Sequence, residues 1–79
     1  MSDQMIDARG HLCPVPSLRL RRAMEGQAAG VRLTLLATDP MARIDVPYLM
    51  ADLGGSVCQI EEQDGVLRIT VETGGAPTG

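Results

Sequence analysis

Residues 57–72 read VCQIEEQDGVLRITVE. Two β-rich, alternating runs, 57–62 and 66–72, flank Gln63-Asp64-Gly65, and Asp-Gly between alternating runs is a strong hairpin signal. In the second run Leu67, Ile69 and Val71 share one face, opposite Arg68, Thr70 and Glu72. Cys58 alternates with Ile60 in the first run and reads as a small core residue, since free cysteine is among the most buried residue types.

Working back from the hairpin, residues 31–38 (VRLTLLAT) form a strand with Val31, Leu33 and Leu35 on one side. Between them Asp39-Pro40 opens a helix: Asp is a good N-cap, and Pro is tolerated at the first helical position because its missing N–H would be unpaired anyway. Pro47 should break or restart that helix, with Asp45 as a second cap and residues 46–53 as its better-formed part. Gly54-Gly55 ends it. Nearer the N-terminus, residues 5–8 make a short strand. The stretch from Pro14 to about Gly26 places Leu18, Leu20, Ala23 and Met24 in an apolar stripe among Arg19, Arg21 and Arg22, which predicts a helix.

The order is thus β-α-β-α-β-β. It predicts a two-layer α/β sandwich, a four-stranded mixed sheet with both helices on one face and a right-handed first crossover. One domain fills residues 1–79, with an ordered core over about 4–73 and a frayed tail at 74–79, where GGAPTG has nothing to bury. Each helix follows a strand, so both N-termini lie on one rim, where open α/β sheets usually place ligands.

Composition removes several functions. The chain has 79 residues, 44% of them apolar, with no Phe or Trp and a single Tyr, so the core must be aliphatic. All seven basic residues are Arg, and ten acids leave a net charge of −3. That balance disfavours direct binding of nucleic acid, which rests on excess positive charge. The absence of Lys excludes Schiff-base chemistry and a P-loop. Two cysteines and one His cannot fill a four-coordinate zinc site without carboxylates or a second subunit, so no metal and no cofactor is expected. Met1-Ser2-Asp3-Gln4 has neither the charge nor the apolar run of a signal peptide, and no stretch suits a membrane helix. The expectation is a cytoplasmic monomer.

Cys13-Pro14-Val15-Pro16 carries the chemistry. Pro14 forces Cys13 out of helical space and into the N-cap position, where its sulfur meets the positive end of the helix dipole. Cysteines so placed have pKa values lowered from about 8.5 into the range of roughly 3.5 to 7.5. Pro14 and Pro16 lack an N–H, which leaves the amides of Val15 and Ser17 to face a thiolate. A Cys-x-x-Cys pair is absent, so dithiol redox chemistry is disfavoured. His11 either helps deprotonate Cys13 or is a loop histidine bonded locally. Arg19 and Arg22 share a side of the helix while Arg21 faces elsewhere; they form a solvated face or a docking surface for an acidic partner. Arg43 lies one turn after Asp39 and pairs with it or forms a charged lip on the rim.

With residues 7–16 (DARGHLCPVP) in view, the sequence resembles the TusA/SirA family of small sulfur-carrier proteins. The resemblance continues through Thr38-Asp39-Pro40, residues 43–47 (RIDVP) and Asp64-Gly65, covering positions 5–73. It implies the fold of the C-terminal domain of bacterial translation initiation factor three, and sulfur transfer through a persulfide. The family cysteine corresponds to Cys13, the site turn to Gly10, Pro14 and Pro16, and the neighbouring rim to Asp39 and Arg43. The implied partners are a cysteine desulfurase or rhodanese as donor and an acceptor protein of a sulfur relay, with tRNA thiolation among the possible ends. His11, Leu12 and Val15 depart from the residues commonest in relatives. A non-catalytic interaction or regulatory module of the same fold is the alternative.

Overall fold

A computed structural model describes residues 4–12 and 15–74. The elements are β1 (Gln4–Ala8), α1 (Val15–Met24), β2 (Arg32–Ala37), α2 (Ala42–Leu53), β3 (Ser56–Gln63) and β4 (Val66–Glu72). They form one four-stranded sheet in the order β1-β2-β4-β3. β1 runs parallel to β2, and β4 is antiparallel to both β2 and β3. This is the mixed two-layer α/β architecture that the element order predicts. Leu33, Leu35, Ala37, Leu67, Ile69 and Val71 bury one sheet face against Leu20 of α1 and Ala42, Val46 and Met50 of α2.

The hairpin closes on Asp64 (φ 53°) and Gly65 (φ 79°), both left-handed, as a two-residue type I′ turn requires. β3 departs from simple alternation. Its register slips between Val57, opposite Val71, and Gln59, opposite Thr70, so Cys58 is the extra residue of a bulge. Val57 and Ile60 both pack on the core, and Cys58 is exposed instead of buried. Its Sγ lies 3.9 Å from Glu72 Oε1. The core assignment of Cys58 fails because a bulge shifts the two-residue period by one.

Both helices also depart from expectation. In α1, Pro16 and Leu20 are buried, four residues apart, with Ala23 and Met24 packed beside them. Leu18 is 56% exposed: it lies about 200° around the helix from Leu20 and cannot share its stripe. α2 begins at Ala42, not Pro40. Residues 39–41 form a tighter lead-in, with Ala42 N donating to Asp39 O (3.0 Å) and Arg43 N to Pro40 O (3.1 Å). Asp39 Oδ1 accepts from Met41 N at 3.0 Å, so Asp39 orders the turn before the helix, while Met41 holds the N-cap. Pro47 neither breaks nor restarts α2, and Asp45 lies inside the first turn and is no cap. Ala42, Val46 and Met50, each four residues apart, hold the helix to the core through the proline.

The far end of the molecule is closed by a threonine. Thr73 is 6% exposed; its hydroxyl donates to Ala28 O (2.5 Å) and accepts from Val31 N (2.9 Å), and its backbone bonds Gly30 and Val31. Gly74 packs so closely on Gly54 and Gly55 that it has no room for a Cβ, so it belongs to the body of the fold and not to a frayed tail. The rest of the expected tail, 75–79, lies outside the described residues.

Candidate functional site

Cys13 and Pro14 lie outside the described residues, so the site is defined by what flanks them: the 9–12 loop, the first turn of α1, and the 38–41 loop at the head of α2. β1 and β2 are parallel neighbours, so both loops leave the same sheet edge. The β3–β4 turn reaches that edge as well, because β4 starts opposite the end of β2, with Leu67 across from Ala37. The rim that the element order predicts is therefore built by three connections.

The 9–12 loop is held by several ties. The Arg9 guanidinium grips Asp7 through two bonds (Nε–Oδ1 2.9 Å, Nη2–Oδ2 2.7 Å), and the Arg9 amide adds a third to Oδ1 at 3.1 Å. These bonds, led by the guanidinium, hold the Asp7 carboxyl well below the usual carboxylate range and push Arg9 up. Gly10 turns the chain at φ 83°. A Cβ there would meet nothing within 4 Å, so the left-handed backbone, not space, selects glycine. Its amide donates to Thr38 Oγ1 at 2.9 Å. His11 is half-buried, and its backbone N–H bonds Ala8 O at 3.2 Å.

At the head of α1, Val15 N donates to Leu12 O at 2.9 Å. Of the two amides expected to face a thiolate, that of Val15 is therefore already engaged by its own turn. Pro16 is buried and anchors the turn to the core. Ser17 is half-buried, and its Oγ has no hydrogen-bond partner among the described residues.

The arginines divide differently from their expected roles. Arg19 Nη1 donates to Asp7 O at 3.3 Å, tying α1 back to the end of β1. Arg19, Arg21 and Arg22 all border one shallow groove with Val15, Leu18 and Glu25, and Arg21 alone of the three also lines a second cavity beside Met24, Gln27 and Leu53. Arg43 bonds Glu62 of β3 (Nη2–Oε1 2.8 Å), which gives it a partner across the sheet layer and not along its own helix. Both members of that pair are about half exposed, so it is worth at most ~1 kcal/mol. Leu12 (74% exposed), Met41 (47%) and Ile44 (60%) leave apolar side chains on and beside the rim. Among the described residues no group of three or more His, Cys, Asp or Glu is placed to hold a metal ion.

Residues 4–73 match the family model described as Sulfurtransferase TusA. The chain belongs to the TusA family. It is 40% identical over 70 residues to a putative sulfur carrier protein of Archaeoglobus fulgidus, covering 87% of this chain and 91% of that one. It is 38% identical over 63 residues to the sulfur carrier protein TusA of Pseudomonas putida, covering 80% and 79%. Among solved structures, a SirA-like protein from Desulfitobacterium hafniense matches with a TM-score of 0.79 at 29% identity, over 92% of this chain and 99% of that one.

Sulfur transfer is the chemistry of the TusA family. Three features of this TusA-family rim are not evident from spacing. The Asp7–Arg9 fork is hidden because Arg9 lies just past the end of β1, where the turn at Gly10 and not the two-residue period of the strand sets its direction. The Thr38–Gly10 bond joins residues 28 apart. The Arg43–Glu62 pair depends on how α2 crosses β3. Among the described residues no helix is long and apolar enough to cross a membrane.

Proposed function

We propose that this protein carries sulfane sulfur as a persulfide on Cys13 and relays it to an acceptor protein. What supports the reading is a Cys-Pro-x-Pro sequence leading into α1 in a chain that matches the TusA family over residues 4–73. The Cys13 thiolate attacks the terminal sulfur of a donor persulfide, R–S–SH. A bond forms between Cys13 Sγ and that sulfur, the donor S–S bond breaks, and R–S⁻ leaves as a thiolate. The acceptor then takes the outer sulfur by the same displacement, and the Cys13 thiolate returns. No electrons are gained or lost overall, so the cycle needs no cofactor.

The positive end of the α1 dipole favours the thiolate over the thiol. Leu18, Arg21 and Arg22 offer an apolar and basic surface along α1, suited to an acidic face of a partner. The donor is a cysteine desulfurase or rhodanese, and the relay runs in the cytoplasm with the carrier as a monomer. An RNA end product such as thiolated tRNA is reached through acceptor proteins, because this acidic chain has little pull on phosphates.

Intact mass after incubation with a sulfane-sulfur donor tests this. The protein should gain one sulfur atom, Cys13→Ala should abolish the gain, and Cys58→Ser should leave it unchanged. Cys58 is a genuine competitor because it is exposed. Sulfur found on Cys58, or retained in Cys13→Ala, would overturn the assignment.

A further inference from the structure

Gly10 and Thr38 stand on different connections, β1–α1 and β2–α2, and the Gly10 amide donates to the Thr38 hydroxyl at 2.9 Å. This hydrogen bond joins those two connections directly. The remaining ties on the 9–12 loop are of another kind. The Arg9–Asp7 fork and the His11–Ala8 bond are internal to the strand end and its turn. Arg19 reaches Asp7 O from α1, the helix that the loop itself leads into. They set the shape of the loop but do not fix it to the second half of the rim.

The turn that follows Thr38 is held by hydrogen bonds of its own. Thr38 follows directly on β2, and the next residue, Asp39, accepts from Met41 N with its side chain and from Ala42 N with its carbonyl. At the other end of the bond Gly10 holds a left-handed φ of 83°. Glycine has the widest choice of backbone conformations, so its amide, once released, would let the turn sample others. Cys13 is three residues further on.

We infer that Thr38 is a positioning residue for Cys13: its hydroxyl fixes the Gly10 turn to the head of α2 and thereby sets where the thiol sits against the head of α1. This rests on the sulfur-carrier reading for its consequence in transfer, but the effect on the thiol can be read without it. The residue touches no reacting atom. Val has the shape of Thr and cannot accept the Gly10 bond, whereas Ser can.

The test compares the parent, Thr38→Val and Thr38→Ser, all carrying Cys58→Ser so that Cys13 is the sole thiol. Two rates are measured: alkylation by iodoacetamide, a small neutral reagent that needs no docking surface, and sulfur uptake from glutathione persulfide. Thr38→Val should slow both by about fivefold, the equilibrium equivalent of one net hydrogen bond. Thr38→Ser should stay within about twofold of the parent, and amide exchange at Gly10 should be slowed in the parent and in Thr38→Ser only. Alkylation of Thr38→Val at the parent rate, or Thr38→Ser as slow as Thr38→Val, overturns the inference. If Thr38→Val does not fold, Gly10 exchange in the parent decides: protection upholds the inference and an unprotected amide overturns it. A parent that alkylates normally but takes up no sulfur defeats the carrier reading and leaves the role of Thr38 to be judged on alkylation.

Discussion

Ser17 occupies the first turn of α1 with its hydroxyl out of water and without a partner among the described residues. An unpaired buried hydroxyl costs about 1–3 kcal/mol, and Ala is also the better helix former. Ser17→Ala should therefore stabilise the fold by about 1 kcal/mol in urea denaturation, and a loss of stability would point to a bond that Ser17 makes in solution. Asp7 shows the opposite case, a fully partnered charge. Its folded pKa lies below the ordinary value of 3.8, so its contribution is present above that value and disappears as pH falls further. Asp7→Asn should thus melt lower than the parent at pH 6, and the two curves should converge in acid below about pH 4. A gap that stays constant across that range would mean the Arg9 fork adds nothing. Cys58 marks how fine a residue-scale reading has to be, since one bulge decides between core and surface.

At the scale of elements, local chemistry and burial contribute unequally. The β3–β4 hairpin follows from its turn, in which both Asp64 and Gly65 are left-handed. Gly65→Ala keeps the space, since a Cβ would meet nothing within 4 Å, but strains the backbone. It should cost about 1 kcal/mol in chemical denaturation; an unchanged midpoint would mean that the turn relaxes to another type. α2 shows the reverse balance. Pro47 reads as a breaker, yet the helix runs through it from Ala42 to Leu53 because three side chains on one face are buried. Its far end is closed by Gly54 at φ 80°, where Gly55 N reaches Met50 O at 2.9 Å. A propensity of one residue yields where a whole face has somewhere to go.

At the scale of the molecule, Thr73 joins the α1–β2 connection to the end of β4, and its hydroxyl both donates and accepts while almost wholly buried. Thr73→Val would leave Val31 N–H and Ala28 C=O without that partner and should cost about 1–3 kcal/mol, read as a lower urea midpoint at unchanged slope. A neutral result would show that water replaces the hydroxyl. The element order, the two helices, the hairpin and the rim were all legible in the sequence, because periodicity, Asp-Pro, Gly-Gly and Asp-Gly are signals carried by neighbouring residues. Cys-Pro-x-Pro is written there too, and the proposal that sulfur rides on Cys13 and not on Cys58 starts from the local effect of proline on the residue before it. Tertiary structure alone decided the rest: the bulge that exposes Cys58, the transfer of Arg43 to Glu62, the gathering of Arg19, Arg21 and Arg22 on one groove, and the bond from Gly10 to Thr38. The division has one physical cause. Backbone preference and hydrophobic period act over a few residues and are written where they act, whereas a hydrogen bond or ion pair between distant residues exists only once the sheet has brought its strands and loops into register.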